Sequence, residues 1–298
     1  MSTKQVALYG LGNMGYLVAE RIAGKFSLQV ADLDQAAVAK AQSALGAVSI
    51  QKPEDLAKTQ VVVLCLPSPA ASQAVLAQIA PHLPADAVVV ETSTVNPADI
   101  HASARILAKH GIAMVDASIM AGVSQMAAGS AMLLVGGEEA ALASCEDVLS
   151  AISDKRIYFG PSGAGAAAKV INNAVAHAVM VVVAEAGSMA TAAGVDCEKL
   201  VGLLSDKQMG LHRPLTHRYA ERIMQGNYEG GMPLEAARKD SVLALELAQS
   251  LQVPLFAIQG AHTAYDIALR AGYGRDDYAA IAKVWADWER PAAPSAQG

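Results

Sequence analysis

The sequence predicts an α/β first half, a doubly wound parallel sheet with helices on both faces, followed by an all-α second half. Three observations carry that expectation. Short β-rich runs alternate with alanine-rich segments of helical period through the first half. Two of those runs, VVVLCLP from Val61 and AVVVETS from Ala87, are continuously apolar, as strands buried on both faces must be. Beyond Gly163 the strand signal vanishes and every segment reads as helix.

Taken in order, strands are expected to end at Gly10, Asp32, Cys65, Glu91, Asp116 and Val135, with a last apolar run over Arg156–Gly160. Helices are expected between them, among others at Asp34–Leu45 and Pro97–His110, with Asp34 as a helix cap. The segment PSGAG then opens a helix running from Gly163 to about Ala193, roughly 30 residues and about 45 Å long. A helix so long and so apolar around most of its surface has to be buried between domains or subunits. Further helices are expected at Cys197–Leu204, Pro214–Met224, Leu234–Leu251, Pro254–Arg270 and Asp276–Trp288, with Pro254 in a first turn. The expected domains are 1–162, dinucleotide-binding; 163–290, all-helical; and 291–298, a disordered tail.

Of 298 residues, 53% are hydrophobic and only 17% charged. Mean hydropathy is +0.30, which implies apolar surface beyond one monomer's core and hence a homodimer or homotetramer. A membrane span is the competing reading. The most apolar uninterrupted stretch, Ala178–Ala184, is bracketed by His177 and Glu185 and falls well short of the ~20 residues a bilayer requires. No charged-then-apolar leader is read at the start. A net charge of −6 without any basic run argues against a nucleic-acid partner. Cys65, Cys145 and Cys197 have neither metal nor redox spacing and read as reduced thiols of a cytoplasmic protein; no metal site is expected.

Val6–Gly15 reads VALYGLGNMG, with Gly10, Gly12 and Gly15 in Gly-x-Gly-x-x-Gly spacing after a strand and before a helix. Gly10, Leu11, Gly12, Asn13, Met14 and Gly15 would pass the main chain close to a pyrophosphate at a helix N-terminus. Asp32, 22 residues after Gly10 at the next strand end, would take the adenosine ribose hydroxyls. Around it ADLDQAA has two acids and no base, which favours NAD over NADP. Leu66-Pro67-Ser68 and Thr94 follow the third and fourth strands, where open sheets bind ligands, although either could be an ordinary turn or cap.

Lys169 and Asn173 lie four residues apart on one face of the long helix. A lysine on an otherwise apolar helix costs desolvation energy, which a proton-transfer role would justify. Asn172 reads as structural, and His177, two turns on, as a buried hydrogen-bonded histidine. Lys239-Asp240 sits in an amphipathic helix whose simpler reading is a solvated face.

Together these elements resemble the β-hydroxyacid dehydrogenase family, which includes 3-hydroxyisobutyrate dehydrogenases and tartronate semialdehyde reductases. GLGNMG, CLP, ETST, the segment DASIMAGVSQMAAGSAMLLVGG, GAGAAAKVINN, RKD and GYGRDDYAAI follow in the family's order over nearly the whole chain. The resemblance implies a Rossmann domain, a long interdomain helix and a helical second domain that also mediates dimerisation. It implies Lys169 as general acid/base, Asn173 as its positioning partner, and Thr94 and Lys239 as cofactor contacts. One departure stands out: Met120-Ala121-Gly122 replaces the family's Ser-Gly-Gly, whose serine hydroxyl and neighbouring amides hold the substrate carboxylate. Methionine is at best a weak acceptor, so the remaining amides, or Ser118 or Ser124, would have to serve. Met232 stands about where the family often has phenylalanine, and two adaptable methionines suggest a wider, more apolar pocket.

The expected function is NAD-dependent oxidation of a 3-hydroxy acid, or reduction of the matching semialdehyde. The alternatives are a reductase of bulkier or carboxylate-free carbonyls or imines on the same scaffold, and a non-catalytic NAD-binding module.

Overall fold

A computed structural model describes residues 4–286. The first segments are β1 (Gln5–Tyr9), α1 (Asn13–Ile22), β2 (Ser27–Ala31), α2 (Gln35–Leu45) and the two-residue strand β3 (Val48–Ser49). They are followed by β4 (Val61–Leu64), α3 (Pro69–Ile79), β5 (Val88–Glu91), α4 (Pro97–Ala108) and β6 (Ala113–Met120). The one-turn helix α5 (Val123–Ala127), β7 (Met132–Gly136), α6 (Glu139–Ile152) and β8 (Arg156–Gly160) complete a single sheet in the order β3-β2-β1-β4-β5-β6-β7-β8. The short β3 carried no pattern long enough to read.

The sheet is doubly wound, with one departure from the expectation of a wholly parallel sheet. β1 to β6 are parallel, but β7 pairs antiparallel with β6, and β8 then runs parallel to β7. The link from Met120 to Met132 holds only the single turn α5, too short for the crossover a parallel neighbour requires. β6 also runs four residues beyond Asp116, carrying Met120 to its end.

Alternation places Val6, Leu8, Val61, Val63 and Val90 in one core cluster, and Ala7, Val62, Leu64 and Val89 in another. α1 and α6 cover the first face and α3 and α4 the second, so both faces are apolar as expected. Asp34 caps α2 by accepting the Ala36 amide at 2.9 Å.

The chain divides into two units at Ala174/Val175. The boundary falls inside one continuous helix, α7 (Ala164–Ala192). By length and composition α7 could cross a membrane, with a mean hydropathy of 1.6, so the short run Ala178–Ala184 understated it. What argues against a span is its polar content and its two anchored ends. Lys169, Asn172, Asn173, His177 and Glu185 interrupt it, Ala166 is packed in the first unit's core, and Glu185 is bonded within the second unit. His177, expected to be buried, is exposed.

The second unit contains α8 (Cys197–Ser205), a π-helix over Pro214–Ile223, α9 (Leu234–Ser250), α10 (Ala257–Arg270), a 3-10 turn over Tyr278–Ala282 and α11 (Lys283–Ala286). Leu234, Ala268 and Ala280 form its small core, with Tyr228, Tyr265 and Tyr273 packed around them. α10 begins at Ala257 rather than Pro254. Its first amides are capped from afar, Glu185 accepting those of Phe256, Ala257 and Ile258. The expected helix to Trp288 ends, and the expected tail 291–298 lies, outside the described residues.

Candidate active site

The glycine loop joins β1 to α1 at the carboxyl edge of the sheet. Its glycines are required for different reasons. A Cβ on Gly10, whose φ is +98°, would lie 2.1 Å from the Cys65 carbonyl oxygen, and one on Gly15 would lie 2.0 Å from that of Gly10. A Cβ on Gly12 would meet nothing within 4 Å. Gly10 and Gly15 therefore serve the fold, whereas the open space at Gly12 suits a ligand brought against the main chain. That space belongs to a cavity of about 730 Å³ lined by Gly10, Gly12, Asn13, Met14, Asp32 and Leu66, among others. Its size and glycine floor fit a dinucleotide at the start of α1.

Asp32 holds this loop to the end of β2. Its Oδ2 accepts the Leu11 amide at 2.5 Å and its Oδ1 the Asp34 amide at 2.8 Å. Both oxygens thus already carry a backbone donor, and Asp32 lines the cavity beside the glycine loop. Leu33, beside it, is fully exposed.

The two strand-end loops are tied to each other by residues the sequence reading passed over. Ser93 accepts the Leu66 amide at 2.8 Å, and Thr92 donates to the Leu64 carbonyl at 2.6 Å. Ser93 is itself oriented by Glu91, which accepts its amide at 2.9 Å. Burial pushes the Glu91 carboxyl up, against the hydrogen bonding from Ser93 that lowers it. This fixes Pro67 and Thr94, both exposed, on neighbouring loops. Burial raises the Cys65 thiol to about 11, which makes it a poor nucleophile.

The second cluster lies where β6 meets α7. Asp116, fully buried, accepts the amides of Gly163 at 2.7 Å and Ala166 at 2.8 Å, capping α7 from within the sheet. Burial pushes its carboxyl up, while those amides pull it down. Gly165 lets the helix approach the strands: a Cβ there would lie 2.4 Å from the Leu134 carbonyl oxygen. The next turn of α7 presents Lys169, and β6 ends in Met120.

Lys169 is buried, and burial lowers its ammonium below the ordinary lysine value. Its Nζ donates to Met120 Sδ at 3.7 Å, and Asn172 Nδ2 donates to the same sulfur at 3.5 Å. Asn172, expected to be structural, therefore shares Lys169's contact. An i, i+3 pair lies on one helix face, and that spacing was the signal available for it. Half-buried Asn173 follows the lysine by one turn, and its Oδ1 accepts from Asn172 at 3.5 Å.

In the loop Met120-Ala121-Gly122 one amide is already engaged: Gly122 donates to Gln125 Oε1 at 2.8 Å. Ser118 is buried with no partner for its hydroxyl among the described residues, and Ser124 is exposed on α5. Met120 also lines an apolar cavity of about 690 Å³ together with Leu134, Ile157, Phe159, Ile171 and Asn172.

Met232 and Lys239 belong to the second unit. The Met232 carbonyl accepts the Tyr278 amide at 2.9 Å. Lys239 is well exposed on α9 and pairs with Asp240 at 3.0 Å. In the same helix Arg238 meets Asp266 at 2.6 Å, and Ser241 lies 2.8 Å from His262 Nδ1.

Two family models match the chain: the NAD binding domain of 6-phosphogluconate dehydrogenase over residues 5–160, and the NAD-binding domain of NADP-dependent 3-hydroxyisobutyrate dehydrogenase over 163–285. The NAD-dependent L-serine dehydrogenase of Pseudomonas aeruginosa is 32% identical, covering 95% of this chain and 98% of its own. The 2-(hydroxymethyl)glutarate dehydrogenase of Eubacterium barkeri is 29% identical over 94% of each. Among solved structures, the 3-hydroxyisobutyrate dehydrogenase of Mycobacterium tuberculosis with L-serine has a TM-score of 0.65 at 23% identity, over 95% of this chain and 99% of that one. An imine reductase variant from Myxococcus stipitatus in complex with NAD+ has a TM-score of 0.84 at 19% identity, with the same coverage. Likeness at these identities shows the fold alone.

Proposed function

The chain belongs to the β-hydroxyacid dehydrogenase family, and from that premise we propose that it oxidises the hydroxyl of a 3-hydroxy acid with NAD, or reduces the matching semialdehyde. One observation carries this reading: a buried lysine with a lowered pKa, set against the end of β6 on a helix capped from the sheet. A dinucleotide would be held by Gly10, Leu11, Gly12, Asn13, Met14, Gly15, Asp32, Leu66, Pro67 and Thr94 of the first unit and would accept or donate the hydride; Lys239 of the second unit is a cofactor contact on the family resemblance alone. Lys169, as the neutral amine, takes the hydroxyl proton in oxidation, and as the ammonium it returns a proton to the forming alkoxide in reduction. Asn173 orients the lysine or the substrate oxygen, and Met120, Ala121 and Gly122 border the substrate; Met232 of the second unit is a substrate contact on the family resemblance alone.

The preference for NAD rests on Asp32 and Asp34 with exposed Leu33 between them: the segment ADLDQAA, residues 31–37, carries no base to meet a 2′-phosphate. The exposed Val175 and Met180 on α7 support assembly into a homodimer or homotetramer through the helical domain, 163–290. Three free thiols fit a cytoplasmic setting.

A reductase of bulkier or carboxylate-free carbonyls or imines is the second reading, favoured by Met120 in place of serine. The deciding experiment is NADH formation at alkaline pH across 3-hydroxyisobutyrate, glycerate, serine, threonate, an aryl-substituted acid and carboxylate-free alcohols. Turnover that requires the carboxylate supports the first reading. Turnover only of the carboxylate-free members would replace it with the second, and NAD binding without any turnover would leave a non-catalytic module.

A further inference from the structure

Two hydrogen-bond donors, Lys169 Nζ and Asn172 Nδ2, converge on the sulfur of Met120. A thioether is a weak acceptor, so neither donor is well satisfied there. With the sulfur gone, an oxygen seated between the two donors and about half an ångström closer to each would satisfy both. The same methionine forms part of the wall of the 690 Å³ apolar cavity, whose other lining includes Leu134, Ile157, Phe159, Ile171 and the Asn172 side chain. Met120 therefore stands between a proton-transfer group and an apolar space large enough for several carbons. With three rotatable bonds, its side chain can leave that position at low cost.

We propose that Met120 is a displaceable plug: the reacting oxygen of the substrate takes the place of its sulfur, held by Lys169 and Asn172, while an apolar substituent enters the cavity beyond. This rests on the dehydrogenase reading above and narrows its substrate class to 3-hydroxy acids with a sizeable apolar group at C2. It also makes Asn172, beside Asn173, a positioning donor to the reacting oxygen. A small polar acid brings the same oxygen but fills none of the cavity, so only the hydrogen bonds to Lys169 and Asn172 offset the displacement of the methionine. The exposed rim residues Ile157 and Ile171 suit the outer end of a substituent; a second copy of the chain is the other possible occupant.

The test uses the full-length protein with NAD and a series of 3-hydroxypropanoates carrying hydrogen, methyl, isobutyl or benzyl at C2. The expected kcat/KM rises along the series by roughly fourfold per buried methylene. Ile171→Gln, at an exposed position that spares the fold, should flatten that slope. Asn172→Asp removes the donor and adds a negative charge, so it should lower kcat more than it changes KM and move the acid limb of the oxidative pH profile upward. A purely structural asparagine would leave that limb where it is.

A second readout does not depend on turnover. With 13C-methyl methionine, the Met120 resonance, assigned through Met120→Leu, should move when the isobutyl member binds and stay in place with the smallest. A moving resonance without any turnover would sustain the plug while refuting the dehydrogenase reading. A flat series with an unmoved resonance would overturn the plug, whether or not small acids turn over. So would a flat series together with loss of oligomerisation in Ile171→Gln, which would give the cavity to a second copy.

Discussion

The Asp116 carboxylate accepts the Ala166 amide at 2.8 Å and so fixes the first turn of α7 to the middle of β6. Those two elements carry Lys169 and Met120, and their register depends on this one buried acid. Asp116→Ala should cost about 2–4 kcal/mol in denaturant unfolding, from two charge-assisted hydrogen bonds lost in a buried place. The surviving folded enzyme should also have a lower kcat, because Lys169 is no longer held in place. Unchanged stability would show that packing through Gly165 alone docks the helix.

Lys169→Ala should lose roughly 10²–10⁴-fold in kcat and keep its affinity for NADH, measured by fluorescence titration. An active variant would remove the lysine from its role. Burial lowers the lysine from its ordinary value of 10.5, so more neutral amine is present at any given pH than in a free lysine. Oxidation should therefore rise with pH through a midpoint below 10.5, and reduction should fall through the corresponding limb.

Gly12→Ala adds a methyl group where no protein atom stands, so its melting temperature should equal that of the parent. NADH affinity should fall at least about tenfold, or ~1.4 kcal/mol. Gly15→Ala, whose methyl would meet the Gly10 carbonyl, should instead destabilise the fold. If both variants behaved alike, the division of labour between these glycines would be wrong.

Glu185 accepts three amides at the start of α10. Burial would raise its carboxyl, but those amides together hold it below its ordinary value of 4.5. A carboxyl lowered on folding contributes stability above its unfolded value, and that contribution is lost as pH falls through the folded value. Glu185→Gln should lower Tm by about 5 °C at neutral pH, and the gap should close as the solution is acidified below about pH 4.5. A constant gap in calorimetry across that range would mean that the charge contributes nothing.

What could be read from the sequence was what neighbours along the chain decide. Gly10, Gly12 and Gly15 declare a tight turn and a close approach within six residues, and continuously apolar runs such as VVVLCLP declare a doubly covered sheet. The long helix followed from its apolar content alone, and Asp34 could be named as a cap because its partner, Ala36, lies two residues away.

Tertiary structure decided the rest. The reversal of β7 follows from how β6 and β7 fit together across a link too short for a crossover. Asp116 reads in the sequence as nothing more than the end of a strand, because the amides it caps lie as far as 50 residues on. Met120 reads as a missing hydroxyl; only the folded chain brings its sulfur to Lys169 and Asn172 and gives it an apolar cavity behind. Periodicity and turn chemistry are local and survive in a string of letters. A hydrogen bond between distant residues exists only once the chain has closed the loop between them, and this protein's candidate proton-transfer centre is built from such bonds.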